Sequence, residues 1–211
     1  ESDEGYEVWK FPTGNKVWAT PTVVDGIIYF GSMDHNVYAV RLTDGSEVWK
    51  FPTGGAVVAK VLVVKNRAYV GSFDGNLYAL DSQTGEELLR FEGAKNWYWS
   101  DAVVSADTIY TASLDGNLYA LSLDSLDPRW PPLETDAPIV GSPTILGKWV
   151  IVPSTDGWIW IARLKNGDGH RECNIESKVY SLTGDGDTVY LAASDHSIRA
   201  LKIDINGDPD E

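Results

Sequence analysis

The chain has 211 residues, with 17 Lys and Arg against 31 Asp and Glu, for a formal charge of −14. That balance, with no basic run anywhere, excludes a phosphate-binding surface, so neither nucleic acid nor an anionic membrane is expected as a partner. A single cysteine, Cys173, rules out an internal disulfide, and no run of 18 apolar residues exists to insert in a membrane. The length suits one large all-β domain with a proper core.

In chain order, the first distinctive segment is Glu7–Gly14, EVWKFPTG, which recurs letter for letter at Glu47–Gly54. Exact recurrence over that length identifies a chain built from copies of one unit. Between the two copies, WATPTVV reads as a strand, Asp25-Gly26 as a tight turn and IIYFGS as a second strand. MDHN then turns, VYAVRL is a third strand, TDGSE turns again, and VWKFPT is a fourth. Asp-Gly between apolar runs is a hairpin signal, because the turn needs φ > 0 where glycine carries no steric cost. No segment keeps a 3.6-residue apolar period, which argues against helix throughout.

The unit then returns around five anchor aspartates: Asp34 (GSMDHNVYAV), Asp74 (GSFDGNLYAL), Asp115 (ASLDGNLYAL), Asp156 (PSTDGWIWIA) and Asp195 (ASDHSIRAL). Four short antiparallel strands per forty-residue unit predict a propeller blade. The blades fall at about 17–54, 55–95, 96–136, 137–176 and 177–205, within a single domain spanning 1–211. The fifth unit supplies three strands and then ends in DINGDPDE. Its missing fourth strand is expected to be residues 7–11 (within 5–14), laid beside Ile198–Ile203 to close a five-bladed ring and remove exposed edges.

Most conspicuous side chains have structural readings. Trp9, Trp49 and Trp130 align with Leu89 in the fourth strand and should pack between blades, each contributing about 2–3 kcal/mol. The five anchor aspartates are expected to accept hydrogen bonds within their turns. Five copies of a catalytic acid make no mechanistic sense. His35 and His196 replace glycine in the same turn, His170 stands alone, and Cys173 reads as a small residue of blade 4's fourth strand. No serine sits in a GxSxG elbow. No catalytic residue, metal site or cofactor is expected. Asp204, Asn206, Asp208 and Asp210 have the alternate spacing of a calcium loop but lack its closing ligands, and read as an acidic tail.

One group stands apart. Thr20, Lys60, Asp101, Ser142 and Ser181 share a level on the innermost strands. A glycosidase needs two converging carboxylates, and only Asp101 is acidic, so an ion pair with Lys60 at the channel mouth is the simpler reading. Near that level lie Trp18 and Trp97-Tyr98-Trp99. Trp18, Trp97, Trp99, Lys60 and Asp101 are therefore the candidate ligand-binding set, a platform for a sugar or a partner's side chain.

The unit TPTVVDGIIYFGSMDHNVYAVRLTDGSEVWKF resembles the PQQ-like repeat; blade 2 (GSFDGNLYALDSQTGEELLRF) matches its pattern closely, and blades 4 and 5 are the most degenerate. That family includes quinone-dependent dehydrogenases, an outer-membrane assembly lipoprotein and sensor domains. The resemblance implies the propeller fold; it does not imply a quinone, because no insertion here is able to cover one. The resulting expectation is a non-catalytic, monomeric scaffold for a protein partner. The chain starts with Glu rather than Met, which reads as a processed, exported product: extracellular, cell-surface or periplasmic. The alternatives are a lectin-like or small-ligand binder and, less favoured by the residues, a quinone-dependent or glycosidic enzyme.

Overall fold

The computed structural model describes residues 6–203. Within them the chain forms five antiparallel sheets and no helix. Blade 1 is β1 (Thr22–Val24), β2 (Ile27–Ser32), β3 (Asn36–Arg41) and β4 (Glu47–Pro52). Blade 2 is β5 (Leu62–Val64), β6 (Arg67–Gly71), β7 (Leu77–Asp81) and β8 (Glu87–Phe91). Blade 3 is β9 (Val103–Ser105), β10 (Thr108–Ala112), β11 (Asn117–Ser122) and β12 (Leu133–Glu134). Blade 4 is β13 (Thr144–Leu146), β14 (Trp149–Pro153), β15 (Trp158–Arg163) and β16 (Gly169–Asn174). Blade 5 has three strands, β17 (Val179–Asp185), β18 (Thr188–Ala193) and β19 (Ile198–Lys202). Each sheet is an up-and-down meander in sequence order.

The turns follow from their residues. Asp25 and Gly26 both have positive φ (49° and 76°), as a tight hairpin requires. At the anchor turn Gly75, Gly116 and Gly157 lie at 84°, 83° and 90°, and His35 and His196 take the same left-handed position at 69° and 64°. Both histidines are thus turn residues.

Among the described residues four apolar cores lie between successive blades, and a fifth packs Trp9 and Phe11 on Phe30, Tyr38 and Val40 of blade 1. Val37 and Ala39 meet Val57 and Val70 between blades 1 and 2, Leu77 and Ala79 meet Ile109 and Leu121 between 2 and 3, and equivalent clusters join 3 to 4 and 4 to 5. Trp49 lies flat on Gly85 of the next blade, where a Cβ would stand 2.6 Å from the indole, and Trp130 lies likewise on Gly167. The expected inter-blade role of these tryptophans is what the fold shows. The innermost strands are shorter than the sequence suggests. The residues ahead of them give their hydrogen bonds to the previous blade's anchor turn instead, as in Val57 N–H to Ser32 O (3.0 Å) and Tyr98 N–H to Ser72 O (3.2 Å).

Two expectations need correction. The fourth strand of blade 3 shrinks to Leu133–Glu134, because Pro131 and Pro132 carry no N–H for the ladder and Trp130 stays outside it. The second concerns closure: residues 7–11 do not pair with Ile198–Ile203, and the β17–β18–β19 sheet has three strands. The N-terminal segment is held by blade 1 instead. Trp9 Nε1–H donates to Leu42 O at 3.0 Å, and the Phe11 ring contacts Phe30 and Tyr38 at 6.1 and 5.4 Å. Trp9 also lies on Gly45 as Trp49 lies on Gly85. Those contacts are the ones a fourth strand makes with the blade after it; its own ladder partner is missing among the described residues.

Candidate functional site

The anchor aspartates do more than stabilise their own turns. Asp34 Oδ1 accepts from Asn36 N–H at 3.2 Å, while Oδ2 accepts from Tyr38 Oη and from Gly14 N–H, both at 2.7 Å. Asp74 repeats this with Asn76, Tyr78 and Gly54, and Asp115 with Asn117, Tyr119 and Lys95. Each second oxygen therefore clasps the chain arriving from the preceding blade. Burial pushes Asp34 up, but bonds from Tyr38, Asn36 and Gly14 outweigh it and leave its pKa below the ordinary value. Burial, helped by the same carboxylate, drives Tyr38 well above the usual phenol range. The clasp fades along the chain. At Asp156 the tyrosine position is Trp160, which donates to Ser154 Oγ instead (3.2 Å). At Asp195 it is Arg199, whose guanidinium meets the carboxylate.

Lys60 and Asp101 do meet, but not as an ion pair. The Lys60 main-chain N–H donates to Asp101 Oδ1 at 2.7 Å, and Asp101 N–H donates to Ser142 Oγ at 3.0 Å. With Thr22 Oγ1–H on Val61 O (2.6 Å), these bonds tie successive innermost strands together. A carboxylate occupied in this way is a structural tie.

The aromatic group is the feature that faces solvent. Trp97 stacks on Phe73 with centroids 4.5 Å apart and rings 8° from parallel; Trp99 covers the same ring at 5.4 Å. Trp18, from blade 1, meets Trp99 of blade 3 edge-to-face at 6.0 Å. The three tryptophans remain 54%, 47% and 39% exposed for Trp18, Trp97 and Trp99. Between them Tyr98 turns inward and is fully buried against Gly71, its hydroxyl unpartnered and its pKa driven far up by burial. Inward Tyr98 is what forces Trp97 and Trp99 outward, since alternate residues of an extended chain face opposite ways. Phe73, the floor of this platform, escaped the sequence reading. Its signal was there: it fills the variable slot of the anchor, where the other blades have Met33, Leu114, Thr155 and Ser194. Among the described residues no ring contact or hydrogen bond joins the platform to the Lys60–Asp101 tie.

Nothing in the described residues assembles a reactive centre. No group of three or more His, Cys, Asp or Glu is placed to hold a metal ion there. His170 lies beside Trp149 and Glu172, and Cys173 is half-buried, its thiol pushed up by burial and then by Glu172. The calcium-like spacing at Asp204, Asn206, Asp208 and Asp210 lies outside the described residues.

Five meander sheets of this topology, clasped at repeated aspartates, have the architecture of β-propeller blades. Residues 1–97 match the family model described as outer membrane protein assembly factor BamB. The fold is similar to the crystal structure of BamB from Moraxella catarrhalis, with a TM-score of 0.78 and 20% identity, over 93% of this chain and 63% of that one. It is equally similar to the computationally designed Ika8 protein, with a TM-score of 0.79 and 18% identity, over 87% of this chain and 57% of that one. The chain thus spans less than two thirds of the length of either structure. No curated protein matches it.

Proposed function

We propose that this chain is a non-catalytic PQQ-like propeller segment that docks a protein partner on its aromatic platform, within an exported or cell-envelope protein. The observation that carries the reading is the cluster of Trp18, Phe73, Trp97 and Trp99, held rigid by stacking and left open to solvent. Exposed apolar patches of this kind mark interaction sites, and tryptophan is enriched at binding hot spots. The envelope location draws support from the likeness to an outer membrane assembly factor over residues 1–97. A photo-crosslinking residue placed at position 97 in cells should give a protein adduct of defined mass, lost in Trp18→Ser/Trp99→Ser. The same residue at exposed position 88 should give none. Adducts at 88 alone would move the partner off the platform, and saturable tryptophan quenching by a glycan panel without any adduct would make the lectin-like reading the right one.

We infer further that the five blades are an arc of a larger ring. Residues 7–11 then serve as the closing fourth strand of the blade ahead of blade 1. Support comes from the contacts of Trp9 and Phe11 with blade 1, from the β19 edge that has no strand partner among the described residues, and from the greater length of the chains of similar fold.

A further inference from the structure

The aromatic platform carries more chemistry than its rings. Trp97 and Trp99 stack on Phe73 with centroids 4.5 and 5.4 Å away, and Trp18 meets Trp99 at 6.0 Å. Among the described residues none of these three indole N–H groups has an acceptor, whereas Trp9 and Trp49 donate to Leu42 O and Ser82 O. The neighbouring acceptors are taken. Asn96 Oδ1 accepts from Trp97 N–H at 2.8 Å, and Trp97 O accepts from Leu114 N–H at 3.0 Å. The Asp74 carboxylate accepts from Asn76 N–H, the Tyr78 hydroxyl and Gly54 N–H. The surface thus presents ring faces and free donors beside occupied acceptors.

A ligand that fits offers apolar faces and acceptors and brings few donors of its own. Proline meets each condition, with a compact apolar ring, a carbonyl and no N–H. A run of prolines forms polyproline II, which has no internal hydrogen bonds, so its carbonyls stay open to outside donors. That helix repeats every three residues, or about 9 Å. The Trp97 and Trp99 centroids lie no further apart than their two distances to Phe73 taken together, so one turn of such a segment reaches across both rings. Other ligands match less well. Every sugar hydroxyl brings a donor with its acceptor. The small pocket beside Trp97 is lined by Lys95 as well as Asp74, which favours neither sign of charge.

We infer that the platform docks an uncharged, proline-rich segment of the protein partner in the polyproline II conformation. The inference rests on the reading that a protein docks on this platform, and it names what that protein presents. Both surfaces are ordered before they meet. Phe73 fixes the tryptophans by stacking, and polyproline II is stiff in isolation, so little conformational entropy is lost on docking. The indole N–H groups donate to carbonyls along the segment while the rings cover its pyrrolidines.

Fluorescence anisotropy of fluorescein-labelled decaproline with the whole chain tests the inference. Saturable binding is expected, about tenfold or more tighter than that of an alternating Gly-Ser decapeptide, which has as many carbonyls but no rings and no preset helix. Raising salt from about 50 to about 300 mM should change it less than about twofold, because no charges are paired. Trp18→Ser/Trp99→Ser should weaken binding about tenfold or more, and Leu88→Ser, at another exposed site, less than about twofold. In wild-type protein labelled with 15N-tryptophan, three of the nine indole N–H signals should move downfield at saturation, a readout that needs no variant to fold. No saturable binding of decaproline, equal binding of the Gly-Ser peptide, no shifted indole signal, or equal loss in Leu88→Ser overturns the inference. Tighter binding of an amphipathic Leu/Lys helical peptide assigns the platform to an apolar helix and overturns it too. Photo-adducts at position 97 in cells without decaproline binding overturn this inference and leave protein docking there standing; absence of both overturns both.

Discussion

Ile198 on blade 5 holds the repeat position that Val37, Leu77, Leu118 and Ile159 hold on blades 1 to 4, three residues past the anchor aspartate. Those four are 0% exposed, and Ile198 is 83% exposed. Tyr190 is likewise half open, although its counterparts Tyr29, Tyr69 and Tyr110 are buried and donate to carbonyls of the following blade. Ala200 is exposed where Ala39, Ala79 and Ala120 are buried. The residue types have barely changed from blade to blade. What differs is whether another sheet lies alongside. Blade 5 therefore keeps the surface of an internal blade, and that is the physical reason to place it inside a larger ring.

The comparison is broken most severely by truncating one position on both sides of it. Leu77→Ala should cost about 2–5 kcal/mol in urea denaturation, through lost burial and a cavity. Ile198→Ala should stay within about 0.5 kcal/mol, as a surface change does. In the 211-residue chain on its own, similar losses at both sites would mean that blade 5 is covered without a further blade. A smaller contrast lies between the tryptophans. Trp49→Phe removes a buried hydrogen bond to Ser82 O, whereas Trp130→Phe removes an unpartnered donor. By denaturation midpoint the first should be the more destabilising by about 1–2 kcal/mol, and the reverse order would contradict the difference in their indole hydrogen bonds.

The clasp gives a pH signature. Asp34 has its folded pKa held below its ordinary 3.8. Its stabilisation is accordingly complete above that value and is lost as pH falls through the lower, folded one. Between pH 7 and pH 3 the wild type should lose more stability than Tyr38→Phe, in which the main bond holding Asp34 down is gone. Equal losses would remove Asp34 from the acid response. The smallest effect is expected at the platform, where Trp18→Ser should change the thermal midpoint by only about 1–2 °C while impairing partner crosslinking.

Much of this was legible in the chain itself. The octapeptide, the anchors and the Asp-Gly turns are local signals, and they yield the strand order, the left-handed histidines and the inter-blade tryptophans. The clasp was half visible: the turn role of Asp34 follows from its neighbours, but its second partner is the backbone N–H of Gly14, and a backbone N–H carries no residue identity to read. Phe73 was missed because its meaning depends on Trp97 and Trp99 folding over it. Closure was misread for a related reason. The sequence EVWKF suits the edge of any third strand, and nothing local says which one, nor how many blades the curvature needs.

The central claim, that the five blades form an open arc, is tested most directly by hydrogen–deuterium exchange along β3 and β19. In β3 the outer edge pairs with β4, with Tyr38 opposite Lys50 and Ala39 opposite Trp49. In β19 the described structure has only the β18 side paired. For the 211-residue chain on its own, the account predicts slow exchange across β3, fast exchange at the outward-facing amides of β19, and fast exchange through residues 7–11. Equally slow exchange in β19 and in residues 7–11 would show those segments paired and the ring closed at five blades, which would contradict it.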